Sequence, residues 1–318
     1  MSFKMVLLPP DYHDNWPKQI KEVVPGAEVE VFPDPEHAAR AIENADCAYG
    51  YLPPTLFKRG DKLRWIQCYA AAPDPAFYHD ALVESEVTVT NFRGIYNDGV
   101  AHHALMLLMA LSRDLHRYIP QQLRRNWKPA EAVRHLPDSI LLVIGVGGIG
   151  SELLRLGKHL GMTTIGLDPR VQEKPEGLDE LYQPEKLDEV LPRADYVVIT
   201  TPDTPQTRGM INAERLTRMQ PTSFLINVGR GMCVVLEDLV KALCSGTIAG
   251  AALDVFEVEP LPADHPLWKA PNVLLTPHVA AHNASYLLER RDAVFLENCQ
   301  RFAQGESLLN VVDKRSRF

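Results

Sequence analysis

The apolar run Ile140-Leu141-Leu142-Val143-Ile144 passes directly into Gly145-Val146-Gly147-Gly148-Ile149-Gly150 and then into Ser151-Glu152-Leu153-Leu154. Apolar residues that turn through spaced glycines into an amphipathic stretch predict a strand, a tight turn and a helix. The first glycine of such a turn permits the bend, and the second lets the backbone approach a pyrophosphate. The third lets helix and strand pack closely, while the helix N-terminus turns N–H groups and partial positive charge toward the phosphates. Gly145, Gly147, Gly148, Ile149 and Gly150 are therefore candidate dinucleotide contacts.

Five more apolar runs follow at helical spacing: Thr163–Leu167, Tyr196–Thr200, Phe224–Val228, Ala249–Leu253 and Val273–Thr276. Six strands interleaved with helices are expected of a doubly wound dinucleotide-binding sheet. Upstream, Met5–Leu8, Val29–Phe32, Cys47–Tyr51, Trp65–Tyr69 and Val87–Thr90 form a second series, with a helix expected over Pro35–Asn44. An Asn97-Asp98 cap ahead of the apolar stretch 99–111 predicts a long, mostly buried connecting helix. The basic stretch from Arg113 to Lys128, interrupted by Pro120, reads as a surface or subunit contact. The amphipathic tail from Ala284 to Phe302 is expected to return to the first domain. The predicted class is α/β with two doubly wound domains. A Rossmann domain spans 99–283, and a smaller flavodoxin-like domain, discontinuous in sequence, takes 1–98 and 284–318.

Length and charge narrow the partners. At 318 residues with 46% hydrophobic and 23% charged content, the chain can bury a substantial core. A net charge of −8 without a basic block makes it a poor counterion-releasing partner for nucleic acid. No apolar run approaches the roughly 20 residues that span a bilayer. Prolines 9 and 10 cut short the only N-terminal run that resembles a signal-peptide core. Five cysteines without CxxC spacing suit reduced cytoplasmic thiols better than a disulfide frame or a metal site.

Charged residues then gather at predicted strand ends. Asp168 closes the second run of the nucleotide series 18 residues after Gly150, where a carboxylate can accept an adenosine ribose 2′-OH. That acid favours NAD, while nearby Arg170 leaves room for NADP. Arg230 follows the fourth run, Glu259 the fifth and His278 the sixth, all on the edge that carries the glycine loop. A guanidinium suits bidentate pairing with a carboxylate. An imidazole hydrogen-bonded to a carboxylate has its tautomer fixed and its cationic form stabilised.

Across most of its length the chain resembles the D-isomer-specific 2-hydroxyacid dehydrogenases. The resemblance rests on GVGGIG at 145–150, TPDTPQTRGMI at 201–211, INVGRG at 226–231, ALDVFEVEPLP at 252–262, HPLWKAPNVLLTPH at 265–278, and VTNFRGIYNDGVAHHALMLLMALSR at 89–113. It implies that Arg230 binds the substrate carboxylate, that His278 is the general acid/base, and that Glu259, rather than nearby Glu257, orients it. It further implies cofactor contacts at Thr201, Pro202, Thr207, Val228, Gly229, Arg230, Asp254, His278 and Ala280. Substrate contacts are implied at Ala71, Ala72, Arg230, His278 and His282, the smaller domain being the substrate domain. Two positions depart from the family pattern: Ala72 stands where relatives carry glycine, and His102 where they commonly carry glutamate. Both bear on substrate identity more than on reaction type.

The expected activity is NAD-dependent interconversion of a small 2-oxo acid and its D-2-hydroxy acid by a cytoplasmic homodimer. The alternative is a dinucleotide-sensing co-repressor or scaffold that keeps the fold.

Overall fold

The computed structural model describes residues 2–71, 73–129, 133–281 and 285–315. The chain divides into two units, Met1–Ile95 with Asn283–Phe318, and Tyr96–His282. In the first unit the apolar runs become five short parallel strands: β1 (Lys4–Leu7), β2 (Glu28–Val31), β3 (Cys47–Tyr49), β4 (Trp65–Gln67) and β5 (Thr88–Thr90). Their order, β2-β1-β3-β4-β5, is the 2-1-3-4-5 arrangement of a flavodoxin-like sheet. Helices α1 (Trp16–Val23), α2 (Pro54–Phe57) and α3 (Asp80–Val83) connect them. The helix expected over 35–44 is instead two 3₁₀ turns, His37–Ala39 and Ile42–Asn44. Asp34 accepts the N–H groups of Glu36 and His37 at 2.9 and 3.0 Å, a side-chain turn that competes with regular helix. Ala38 and Ile42 still bury their side chains, so the amphipathic spacing survives the change of helix type.

The second unit opens with α4 (Asn97–Ser112) and α5 (Leu115–Leu123). The residue at the α4 N-terminal cap is Tyr96, without a side-chain cap bond, and not the expected Asn97-Asp98 pair. The Asn97 amide lies against Gly148 instead, so tertiary packing has taken the group that would have capped. A seven-stranded parallel sheet follows: β6 (Ile140–Ile144), β7 (Thr163–Leu167), β8 (Glu180–Tyr182), β9 (Tyr196–Ile199), β10 (Phe224–Asn227), β11 (Gly250–Leu253) and β12 (Val273–Leu275). The order β8-β7-β6-β9-β10-β11-β12 is the doubly wound 3-2-1-4-5-6 sequence with a seventh strand added. Strand β8 was not among the six expected. Its three residues, Glu-Leu-Tyr, are all half-buried at the sheet edge, and no apolar run marks them.

Helices α6 (Gly148–His159), α7 (Leu187–Val190), α8 (Ala213–Arg218) and α9 (Leu236–Ser245) cover the sheet. Both faces are dry, which explains why β6 reads as an unbroken apolar run. Leu142 and Ile144 pack with Leu216, Leu236 and Leu239 on one face, and Leu141 and Val143 with Leu107, Leu108 and Leu153 on the other. Each such buried aliphatic side chain contributes about 1.5–3 kcal/mol.

Helix α10 (Ser285–Gln304) completes the first unit. Its Phe295 ring lies 4.4 Å from Trp16 and 5.4 Å from Tyr49, and its Asp292 accepts the Trp16 indole N–H at 2.6 Å. Among the described residues, no helix is long and apolar enough to cross a membrane.

One buried group makes stability depend on pH. The His116 side chain on α5 is fully buried against Phe224, and among the described residues neither ring nitrogen has a hydrogen-bond partner. Burial pushes its pKa below the ordinary 6.5, more strongly than the Asp114 carboxylate at 3.7 Å raises it. Above 6.5 the ring is neutral in both states and the linkage is silent. As pH falls below that value the unfolded chain takes up the proton first, and stability drops. Thermal melts between neutral and mildly acidic pH should show a steeper acid-side loss in the wild type than in His116→Leu. Parallel curves would contradict this.

Candidate active site

Pairing levels the C-terminal ends of five strands, because Ile144 is opposite Ile199, Ile199 opposite Asn227, Asn227 opposite Leu253, and Leu253 opposite Leu275. The segments that follow therefore emerge along one edge, where ligands of open α/β sheets bind. Gly145 takes φ +101°, a conformation that strains any other residue, and a Cβ there would press on Thr201. A Cβ on Gly150 would strike the carbonyl of Gly145, so the turn closes only with glycine at both positions. A Cβ on Gly147, in contrast, would meet nothing within 4 Å. Open ground beside the N-terminus of α6 is what a dinucleotide pyrophosphate requires, so these residues fit that group.

The next loop is tied to this one. Thr200 donates its hydroxyl to the Gly145 carbonyl at 2.6 Å, and the Thr207 hydroxyl donates to Pro202 O at 2.6 Å while accepting the Thr204 N–H. Thr201 lies 3.4 Å from the Cys233 sulfur, and its carbonyl crowds Gly229. Val228 is buried just before that glycine.

Asp168 stands at the end of β7, where the sequence expects it. Its side chain is 2% exposed, and its oxygens accept the N–H groups of Val146 at 3.0 Å and Arg170 at 2.8 Å. The carboxylate thus ties β7 to the glycine turn, and the exposed side chain at that corner is Arg170, its Nε 3.6 Å from the acid.

Arg230 leaves β10 through a turn that Asn227 clamps. The fully buried Asn227 amide accepts the Gly229 N–H at 3.1 Å and donates to the Arg230 carbonyl at 2.9 Å. Asn227 is a part of the site that residue-type reasoning passed over; its place at a strand end ahead of Gly-Arg-Gly was the available signal. Burial lowers the pKa of the Arg230 guanidinium, against the nearby Cys233, Glu259 and Asp203. Its Nη1 donates to the Gly229 carbonyl at 2.7 Å.

Glu259 divides its two oxygens. Oε1 accepts the Phe256 N–H at 2.9 Å, and Oε2 lies 2.6 Å from His278 Nδ1. A carboxylate only accepts, so Nδ1 carries a proton and Nε2 is left as the working nitrogen. Glu257 lies elsewhere, accepting the Leu236 N–H at the start of α9. The His278 side chain is 53% exposed, and its backbone adopts φ +53°.

Asp254 holds that turn. It accepts Thr276 Oγ1 at 2.6 Å, Val279 N–H at 2.9 Å and Ala280 N–H at 3.0 Å, with His103 Nε2 at 3.4 Å. Burial disfavours its charge, but hydrogen bonds from His103, Thr276, Val279 and Ala280 outweigh it and hold the carboxyl below its usual range. In the first unit, Ala71 has its carbonyl bound by the Asn91 amide at 2.8 Å. Ala72 and His282 lie outside the described residues.

Residues 105–280 match the family described as D-isomer specific 2-hydroxyacid dehydrogenase, NAD binding domain. The chain belongs to that family. The D-isomer specific dehydrogenase assignment agrees with the motif resemblance and makes the protein an oxidoreductase with an NAD-binding domain. It is similar to the glyoxylate reductase of Korarchaeum cryptofilum, with 35% identity over 266 residues, 81% of this chain and 79% of that one. It is 30% identical over 309 residues to the glyoxylate/hydroxypyruvate reductase A of Escherichia fergusonii, covering 94% of each. Among solved structures, a D-isomer specific 2-hydroxyacid dehydrogenase from Xanthobacter autotrophicus Py2 in complex with NADPH and MES superposes with a TM-score of 0.84. That protein is 30% identical, and the match covers 100% of both chains.

Proposed function

We propose that this dehydrogenase reduces a small 2-oxo acid of the glyoxylate or hydroxypyruvate kind to the corresponding 2-hydroxy acid, of D configuration where that product is chiral, using NADH or NADPH. The observation that carries the reading is the 2.6 Å contact between His278 Nδ1 and Glu259 Oε2, on the strand edge that bears the glycine turn. Bound nicotinamide would supply the hydride. Arg230 pairs with the substrate carboxylate and draws electron density from the adjacent carbonyl. His278 Nε2 gives its proton to the developing alkoxide, and Glu259 compensates the charge of the ring that holds it. Gly145–Gly150, Thr201, Pro202, Thr207, Val228, Gly229, Asp254 and Ala280 hold the dinucleotide. Substrate contacts from Ala71, Ala72 and His282 belong to this proposal on the motif resemblance alone. The experiment is a panel of 2-oxo acids assayed with each reduced dinucleotide. Turnover supports the reading, with D-configured product from every 2-oxo acid whose product is chiral. Tight dinucleotide binding with no turnover on any acid would favour a sensor instead.

The buried Asp168 and exposed Arg170 argue for NADPH use alongside NADH. An arginine hydrogen-bonded to a ribose phosphate is worth about 1.5–3 kcal/mol. Arg170→Ser should therefore lower kcat/KM for NADPH by about tenfold or more and leave NADH nearly unchanged. Equal losses with both would contradict the assignment.

The exposed apolar side chains Met106, Met109, Leu115, Ile119, Leu123 and Trp127 on and after α4 and α5 suit a contact with a second copy of the chain. Five free thiols suit a reducing, cytoplasmic setting.

A further inference from the structure

Helix α4 reaches the reaction edge through a residue that the proposed chemistry does not use. His103 is 13% exposed, and its Nε2 lies 3.0 Å from Thr276 Oγ1 and 3.4 Å from Asp254 Oδ1. The Thr276 hydroxyl has one proton, which it gives to Asp254 at 2.6 Å. The imidazole must therefore donate to Thr276, so its proton sits on Nε2. Asp254 in turn accepts the N–H groups of Val279 and Ala280, the two residues after His278, and the Thr276 carbonyl accepts the His278 N–H at 3.0 Å.

Among the described residues, the backbone bonds that hold the His278 turn pass through Thr276 or Asp254, and His103 touches both. The turn needs anchoring because His278 holds φ +53°, a left-handed conformation that persists in a non-glycine residue only where its surroundings over-determine it. The same helix carries Asn97, whose amide packs on Gly148 of the dinucleotide loop. One rigid element therefore braces both the glycine turn and the histidine turn.

We propose that His103 is a positioning residue that, through Thr276 and Asp254, sets the angle from which His278 presents Nε2. This rests on the reductase reading for its kinetic consequence, but not for its geometry. The test compares His103→Leu with His103→Gln, whose amide nitrogen reaches the place of Nε2. In His103→Leu, kcat should fall about tenfold, the size of one lost hydrogen bond, while the protein stays folded by circular dichroism. His103→Gln should restore most of the turnover. Independently of turnover, the His278 ring signals in NMR spectra of the intact protein should move in the leucine variant and return in the glutamine variant. Unmoved signals in His103→Leu, or a glutamine variant as impaired as the leucine one, would overturn the proposal. A wild type inactive on all 2-oxo acids would defeat the reductase reading, and the NMR comparison would still decide the role of His103.

Discussion

Replacing His278 with alanine is expected to lower kcat for 2-oxo acid reduction by about 10²–10⁴-fold, with dinucleotide binding retained. The size follows from what one positioned proton donor contributes. Without it the alkoxide must take its proton from water, which no group orients. Glu259 Oε2 at 2.6 Å from Nδ1 fixes the tautomer, so the side chain acts through a single nitrogen and no other described residue duplicates it. His278→Gln should be almost as slow, since an amide can hydrogen-bond the carbonyl but cannot release a proton. Steady-state kinetics with a dinucleotide titration on each variant check both statements. A variant with more than about a tenth of wild-type kcat would remove His278 from the chemistry.

Arg230→Gln is expected to act on capture. A half-buried guanidinium that pairs with a carboxylate makes charge-assisted hydrogen bonds worth about 1.5–3 kcal/mol each. Losing two of them lowers kcat/KM by roughly a hundredfold or more, carried mainly by KM. Burial has already weakened the hold of Arg230 on its own proton, and its Nη1 is engaged by the Gly229 carbonyl. The guanidinium is thus desolvated and oriented before substrate arrives, which is where binding energy is conserved. Arg230→Lys should recover little, because an ammonium cannot present two parallel donors. Near-normal KM in the lysine variant would show that only charge matters there.

Those two residues were legible in the sequence because each ends an apolar run, and parallel strands bring their ends to one edge whatever the intervening loops do. The glycine turn was legible for a similar reason: its demands at Gly145 and Gly150 are local, set by φ and by one close approach. What escaped detection is set by tertiary contact. Strand β8 exists because β7 offers a paired edge and Arg193 grips Glu180 at 2.7 Å, and nothing in Glu-Leu-Tyr announces it. Asn97 has the side chain of a cap, but its amide packs against Gly148 and Tyr96 takes the cap position. Asp168 stands at the expected strand end, and that its carboxylate also accepts the Val146 N–H is set by rotamer and loop rather than by position. Asn227 clamps backbone and His103 contacts the Thr276 and Asp254 side chains, and residue type alone announces neither.

If His278 and Glu259 act as one proton-handling unit during carbonyl reduction, a double-mutant cycle shows their coupling. Turnover is measured for His278→Ala, Glu259→Ala and the pair. If the carboxylate works only through the imidazole, the double variant should be about as slow as His278→Ala alone. Losses that multiply would mean two independent roles and would rule out a coupled pair.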